Sequence, residues 1–223
     1  MYTLAFDTTA GGCYIGLLKD DKISRTYEKD MDYGQAEVLM PEIENILKKE
    51  RISFKDINLV VVCTGPGSFT GVRSSVSAAR TFALADEKIA VTGVSAFEAY
   101  IRSLSPEEIA DINAVIIETK RDDFYYQLFD SQLQKITEAG ADSRENIISQ
   151  MRGAKVSLIG DGVERFLNKP SGLSLHAIRM ERHLSIEHLA WCGLKKFLDK
   201  KLDFPKPLYL RAPDICLKKV DEA

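Results

Sequence analysis

Residues 59–73 run Leu59-Val60-Val61-Val62-Cys63-Thr64-Gly65-Pro66-Gly67-Ser68-Phe69-Thr70-Gly71-Val72-Arg73. An apolar run closes at Cys63-Thr64, breaks across Gly65, Gly67 and Gly71, and continues as the small-residue segment Val72 to Ala85. That pattern predicts a buried strand, a tight loop and a helix. Glycine lets the backbone bend where a Cβ would clash, and Ser68 or Thr70 can accept from the first free N–H groups of the helix. Such a junction reads either as a packed strand-to-helix turn or as a loop that cradles an anion or holds a partner's backbone.

Spacing removes the familiar phosphate loops. A Walker loop needs Gly-Lys-Ser/Thr after four intervening residues, but the fifth place after Gly65 holds Thr70 and the fifth after Gly67 holds Val72. No lysine follows. The dinucleotide fingerprint fails too, because Gly67 to Gly71 is one residue too long. Ser68 superficially resembles a nucleophile elbow, yet G-x-S-x-G would place a glycine at Thr70, so a capping hydroxyl is the favoured role.

Outward from this junction the chain alternates. Tyr2 to Phe6, Cys13 to Leu18 and Lys22 to Tyr27 read as an antiparallel three-strand meander, separated by Gly11-Gly12 and Lys19-Asp20-Asp21. An amphipathic helix follows, with Leu39, Ile43, Ile46 and Leu47 on one face and Pro41 near its first turn or kinking it. Next come strand Leu59 to Cys63, helix Val72 to Ala85, strand Ile89 to Val94, and helix Ser95 to Leu104 with Ser95 and Glu98 at capping-box positions.

The order β-β-β-α-β-α-β-α is the half-unit of the ribonuclease-H-like fold shared by sugar kinases, actin and heat-shock chaperone ATPases. A second unit is expected from strands Ile112 to Glu118, Phe124 to Asp130 and Leu133 to Thr137. Helix Asp142 to Met151, strand Lys155 to Ile159 and helix Leu184 to Leu198 complete it, the last opened by Ser185 or the residue before. Ser103 to Asp111 marks the lobe boundary, giving an N-terminal lobe at 1–104 and a C-terminal lobe at 105–223. The expected fold class is therefore α/β, two-lobed and actin-like, each lobe a mixed sheet flanked by helices.

The chain has 223 residues, 45% hydrophobic and 28% charged, enough for a substantial core and typical of a soluble globular protein. A formal charge of −3 argues against nucleic-acid binding by bulk electrostatics. A local patch is possible at Lys195, Lys196, Lys200, Lys201, Lys206, Arg211, Lys218 and Lys219, although lysine-rich helices are usually just solvated. Cys13, Cys63, Cys192 and Cys216 form no C-x-x-C pair and read as reduced core residues. No signal peptide or membrane-length apolar run is read, so a cytoplasmic protein without membrane contact is expected.

The three histidines give no metal pair. His183 and His188 are five apart, about 140° around a helix, and H-E-x-x-H is absent. No metal and no cofactor are expected. In helix Val72 to Ala85, Val72, Val76, Ala79 and Ala83 form one stripe, and Ala78, Phe82 and Ala85 another. Such a helix is buried on both faces, one against the sheet and the other against a second chain or the remainder of the monomer.

The run Gly65-Pro66-Gly67-Ser68-Phe69-Thr70-Gly71-Val72-Arg73, between an apolar strand and an alanine-rich helix, resembles the signature of the TsaB (YeaZ) family. The resemblance extends, in order, over Leu4-Ala5-Phe6-Asp7-Thr8-Thr9, Ala36-Glu37-Val38-Leu39-Met40-Pro41, Lys120-Arg121-Asp122-Asp123-Phe124-Tyr125 and Pro207-Leu208-Tyr209-Leu210-Arg211. It implies a non-catalytic subunit that scaffolds a TsaD-like catalytic paralogue, with a TsaE-like ATPase, in threonylcarbamoylation of the tRNA adenosine next to the anticodon. It also implies a homodimer when alone, a tRNA contact that is open with an indirect one favoured, and a partner interface on the first two helices, assigned to Leu39, Ile43, Val72, Val76, Ala79 and Ala83.

Asp7, Thr8 and Thr9 stand where the kinase and actin group holds metal and phosphate, and read as a vestigial nucleotide-type loop. Gly160-Asp161-Gly162 is a weak candidate for the adenosine clamp. Two departures stand out: Gln35 where related chains carry histidine, and Glu118-Thr119-Lys120-Arg121 where they often carry Asp-Ala-Arg. The alternatives are a small-molecule kinase or ATPase using Asp7-Thr8-Thr9, and a peptidase-like protein acting on its paralogue.

Overall fold

The computed structural model describes residues 1–211. In the first half, β1 (Tyr2–Asp7), β2 (Gly12–Lys19) and β3 (Lys22–Asp30) form the antiparallel meander. β3 carries a charged, largely exposed sequence and takes the sheet edge, where solvated charge discourages further strand pairing. Next come α1 (Gln35–Glu50), β4 (Ile57–Cys63), α2 (Phe69–Ala85), β5 (Ala90–Val94) and α3 (Ala96–Arg102). The sheet order is β3-β2-β1-β4-β5, with β4 parallel to both β1 and β5.

Helix α2 starts three residues earlier than the apolar pattern predicts, because the Ser68 hydroxyl accepts the Gly71 N–H at 3.2 Å and caps the helix ahead of its apolar stripe. Ser95 likewise caps α3 by accepting from the Glu98 N–H at 3.1 Å.

The second half contains β6 (Ile112–Glu118), β7 (Asp123–Phe129), β8 (Gly140–Ser143), α4 (Arg144–Ser149), β9 (Lys155–Gly160), α5 (Val163–Phe166), β10 (Ser174–Met180) and α6 (Ile186–Leu198). Its sheet order is β10-β9-β6-β7-β8. The third strand is Gly140–Ser143 and not the expected 133–137. There the Asp130 carboxylate accepts the Gln132 and Gln134 amides, Leu133 sits at φ 58°, and 133–137 contributes one bridge, Phe129 to Lys135. A side chain bonded to nearby amides competes with the strand ladder.

Helix α6 crosses back to pack on β1, β4 and β5 of the first sheet. Ile186, Leu189 and Ala190 are buried there, and each fully buried Leu or Ile contributes about 1.5–3 kcal/mol. One apolar core joins both halves: Ala5, Val61, Phe97 and Tyr100 share it with Val115, Ile117, Ile159 and Leu189. Among the described residues, no helix is long and apolar enough to cross a membrane. Cys13, Cys63 and Cys192 are buried free thiols; Cys216, Lys218 and Lys219 lie outside the described residues.

Candidate functional site: the cleft between the sheets

A cleft of about 950 Å³ opens where turns from both sheets meet the C-terminal segment. Its walls come from the β1–β2 turn at Thr9, Ala10 and Gly11, the β4–α2 loop at Pro66 to Phe69, the β6–β7 turn at Glu118 to Arg121, Asp161 after β9, and Leu208 to Arg211. Four of the five sequence motifs, scattered along the chain, therefore converge on one place; the fifth, Ala36 to Pro41, stays outside it.

The first-sheet wall is closed by its own hydrogen bonds. Thr8 donates through Oγ1 to the Gly71 carbonyl at 2.7 Å, and its N–H reaches Ser75 Oγ at 3.1 Å. Ser68 N–H donates to the Thr9 carbonyl at 2.8 Å. The backbones approach so closely that a Cβ on Gly71 would strike the Thr8 carbonyl, and one on Gly67 the Thr9 carbonyl. Only glycine fits at such a contact. With the amides of Ser68 and Gly71 already committed, the loop is built as a brace between β1 and α2 and not as an open phosphate cradle.

Asp7 turns inward beneath this wall. Its Oδ1 accepts the Thr9 N–H at 2.7 Å, while Oδ2 is buried without a hydrogen-bond partner. Burial pushes its carboxyl above the usual range. Thr8 is engaged with α2, and the Thr9 hydroxyl sits 3.5 Å from Cys63 Sγ. Burial also raises the Cys63 thiol well above its normal value, leaving it an inert core residue.

Across the cleft, Glu118 receives two bonds from the Arg165 guanidinium, both 2.7 Å, and accepts the Lys120 N–H at 2.6 Å. Burial opposes ionisation of Glu118, but the Arg165 pair together with the Lys120 and Thr119 N–H groups outweighs it and holds the carboxyl below its usual range. Arg165 also bonds the Asp123 carbonyl at 2.8 Å and lies 3.8 Å over Phe124. Asp161 accepts the Glu118 N–H at 3.0 Å; burial, with the neighbouring Glu118 charge, raises it to about 7. The turn that would carry the second phosphate contact is thus an acidic, self-satisfied network.

The cationic and histidine side chains do not form a second centre. His176 contacts the Glu107 carbonyl at 2.8 Å, His183 stacks on Tyr14 with centroids 4.2 Å apart, and His188 lies against Trp191. Among the described residues, no three His, Cys, Asp or Glu side chains gather as metal ligands. Lys196, expected on a basic surface, is instead held by Glu98 at 2.7 Å and Asp203 at 2.9 Å.

Helix directions correct the assigned contact residues. Leu39, Ile43, Val72, Val76 and Ala79 are at most 3% exposed, in the chain's own core, and Ala83 is half-buried. Helical periodicity identifies a face but not whether sheet or solvent lies beyond it. The outward face of α2 presents Phe69, Arg73, Ser77, Thr81 and Leu84, the last 87% exposed, and Tyr33 ahead of α1 is 90% exposed. Arg73 lies 3.7 Å over the Phe69 ring and donates to Tyr209 Oη at 2.9 Å. Sequence reading gave Tyr209 and Arg165 no role. Each acts through partners far along the chain, which local pattern does not register.

Two lobes, each a five-stranded mixed sheet led by an antiparallel meander and flanked by helices, define the actin-like, ribonuclease-H-like class. The family described as TsaD, tRNA N6-adenosine threonylcarbamoyltransferase, matches residues 34–207. A protein of Buchnera aphidicola subsp. Baizongia pistaciae named tRNA threonylcarbamoyladenosine biosynthesis protein TsaB is 37% identical over 81 residues, 36% of this chain and 36% of its own length. The Escherichia coli protein of the same name is 34% identical over 95 residues, 43% of this chain and 40% of its own. The solved structure of YeaZ from Pseudomonas aeruginosa superposes with a TM-score of 0.78 at 19% identity, covering 94% of this chain and 99% of that one. The chain belongs to the family this model describes, and the curated relatives it resembles carry the name TsaB. The matches span about two fifths of the length of the curated relatives.

Proposed function

We propose that this chain is a non-catalytic subunit in threonylcarbamoylation of tRNA adenosine, serving as docking partner of a TsaD-like catalytic paralogue. The observation that carries this reading is the state of the cleft. Thr8, Ser68, Glu118 and Arg165, which stand where a phosphate or metal would be held, are bonded within the chain, while α2 keeps an outward face with exposed Phe69 and Leu84. The TsaD-like paralogue docks on the outward faces of α1 and α2, the same surface pairs two copies when the chain is alone, and a TsaE-like ATPase joins the assembly. In a division into 1–104 and 105–223 the first lobe presents the docking helices, while α6 and residues 203–211 of the second pack back on the first sheet. The similarity to proteins named for tRNA threonylcarbamoyladenosine biosynthesis supports the pathway assignment.

Co-purification with the TsaD-like subunit of the same organism, followed by tRNA modification with and without this chain, tests the proposal. Co-purification and a dependence of modification on this chain are expected; modification at the same rate without it would overturn the reading.

A further inference from the structure

The motif Pro207-Leu208-Tyr209-Leu210-Arg211 belongs to a segment with no regular secondary structure that is nevertheless tied at almost every step. Asp203 offers its carbonyl to the Gly93 N–H at 2.8 Å, continuing the edge of β5. The Pro205 carbonyl accepts two bonds from Arg80, at 3.0 and 2.7 Å. Leu208 N–H donates to the Thr64 carbonyl at 2.8 Å, and Tyr209 receives Arg73 while its ring packs on Phe69 at 5.6 Å. Arg211 then crosses to the second sheet, where it pairs with the Asp123 carboxylate and lies 5.2 Å over Tyr125.

The segment therefore runs from β5 along α2 to β7, and its last four residues form one wall of the cleft. The cleft rim has a second ion pair, Arg182 to Asp30 at 3.7 Å, but those side chains are 89% and 56% exposed. Those of Arg211 and Asp123 are 20% and 28% exposed. An exposed pair is worth little, so the partly buried Arg211–Asp123 pair is the stronger candidate to hold the mouth. Arg73 and Arg80, which hold the segment, both stand on α2, whose outward face is the proposed docking surface.

We propose that residues 203–211 are a latch that closes the cleft through Arg211 on Asp123 and couples its closure to α2 through Arg73 and Arg80. The coupling gives docking on α2 a route to the second sheet, and that consequence rests on the reading under Proposed function. The latch itself stands on the isolated chain.

Hydrogen exchange of the isolated chain tests it. Arg211→Ala is expected to speed exchange about tenfold or more in residues 206–211 and 119–126, while α3 and α6 keep their protection. Asp123→Ala should match it, and the double variant should add little. Arg73→Ala should loosen 119–126 as well, although Arg73 makes no contact there. Unchanged exchange at 206–211 in a folded Arg211→Ala protein would overturn the latch; unchanged exchange at 119–126 in Arg73→Ala would overturn the coupling. Co-purification with the paralogue is read separately, so failure of docking is distinguishable from failure of the latch.

Discussion

Thr8 Oγ1 donates a 2.7 Å hydrogen bond to the carbonyl of Gly71, pinning the turn after β1 to the first turn of α2. The residue type that elsewhere contacts a ligand is here spent on the chain's own backbone. This contact explains why the glycine-rich loop needs its glycines and why its role is to place α2.

The loop should accordingly be sensitive to bulk and tolerant of lost hydroxyls. Gly71→Ala or Gly67→Val forces β1 and α2 apart and should destabilise by about 3 kcal/mol or more, as strained close contacts do. Ser68→Ala removes the α2 cap and should cost about 1 kcal/mol with association intact. Urea unfolding of the three variants checks both expectations; equal losses would contradict the brace.

Substitutions on the two faces of α2 should separate folding from association. Val76→Glu and Ala79→Glu bury an unpaired charge in the monomer core and should unfold the protein or cost several kcal/mol. Leu84→Glu and Ser77→Glu, on the exposed face, should keep the melting temperature within a few degrees while weakening paralogue binding. A folded Leu84→Glu, Ser77→Glu double variant that binds as tightly as the parent would remove the outward face from the interface.

Asp161 predicts a pH dependence of stability. Its folded-state value of about 7 exceeds the ordinary 3.8, so between these limits the native state holds a proton that the unfolded state has released. Stability therefore falls as pH rises through that window and levels off above it. Asp7, also raised by burial, acts in the same direction. Glu118 is lowered, so its opposite contribution is lost only as pH falls below the ordinary range of a glutamate. Asp161→Asn keeps an oxygen acceptor for the Glu118 N–H and should flatten the slope measured by denaturant titration between about pH 5 and about pH 8. An unchanged slope would sink the assignment.

The isolated chain should release no phosphate from ATP above background. Asp7 turns inward and is buried, and Glu118 with Arg165 occupies the facing turn. Turnover by purified protein that disappears in Asp7→Ala would restore the kinase or ATPase alternative.

The first sheet was legible because its signals are local. Alternating strands, the Leu39, Ile43, Ile46 and Leu47 stripe, and the glycine break at Gly65 each lie within one element. β10 was missed because its exposed edge strand has a mixed pattern, Ser174-Leu175-His176-Ala177-Ile178-Arg179-Met180. Val76 and Ala79 were assigned outward because a stripe of small residues fits a sheet as well as a partner. Glu118 was legible as a departure, but not its bond to Arg165, which lies 47 residues away. The convergence of four of the five motifs on one cleft is likewise a property of tertiary contact, invisible to spacing.

Reconstituted tRNA threonylcarbamoylation with the TsaD-like subunit tests the central claim most directly. Modification should require this chain, persist with Ser68→Ala and Asp7→Asn, and fall with the Leu84→Glu, Ser77→Glu double variant in step with lost binding. Full modification without the chain, or complete loss in Ser68→Ala with the complex intact, would contradict a scaffold that acts by docking alone.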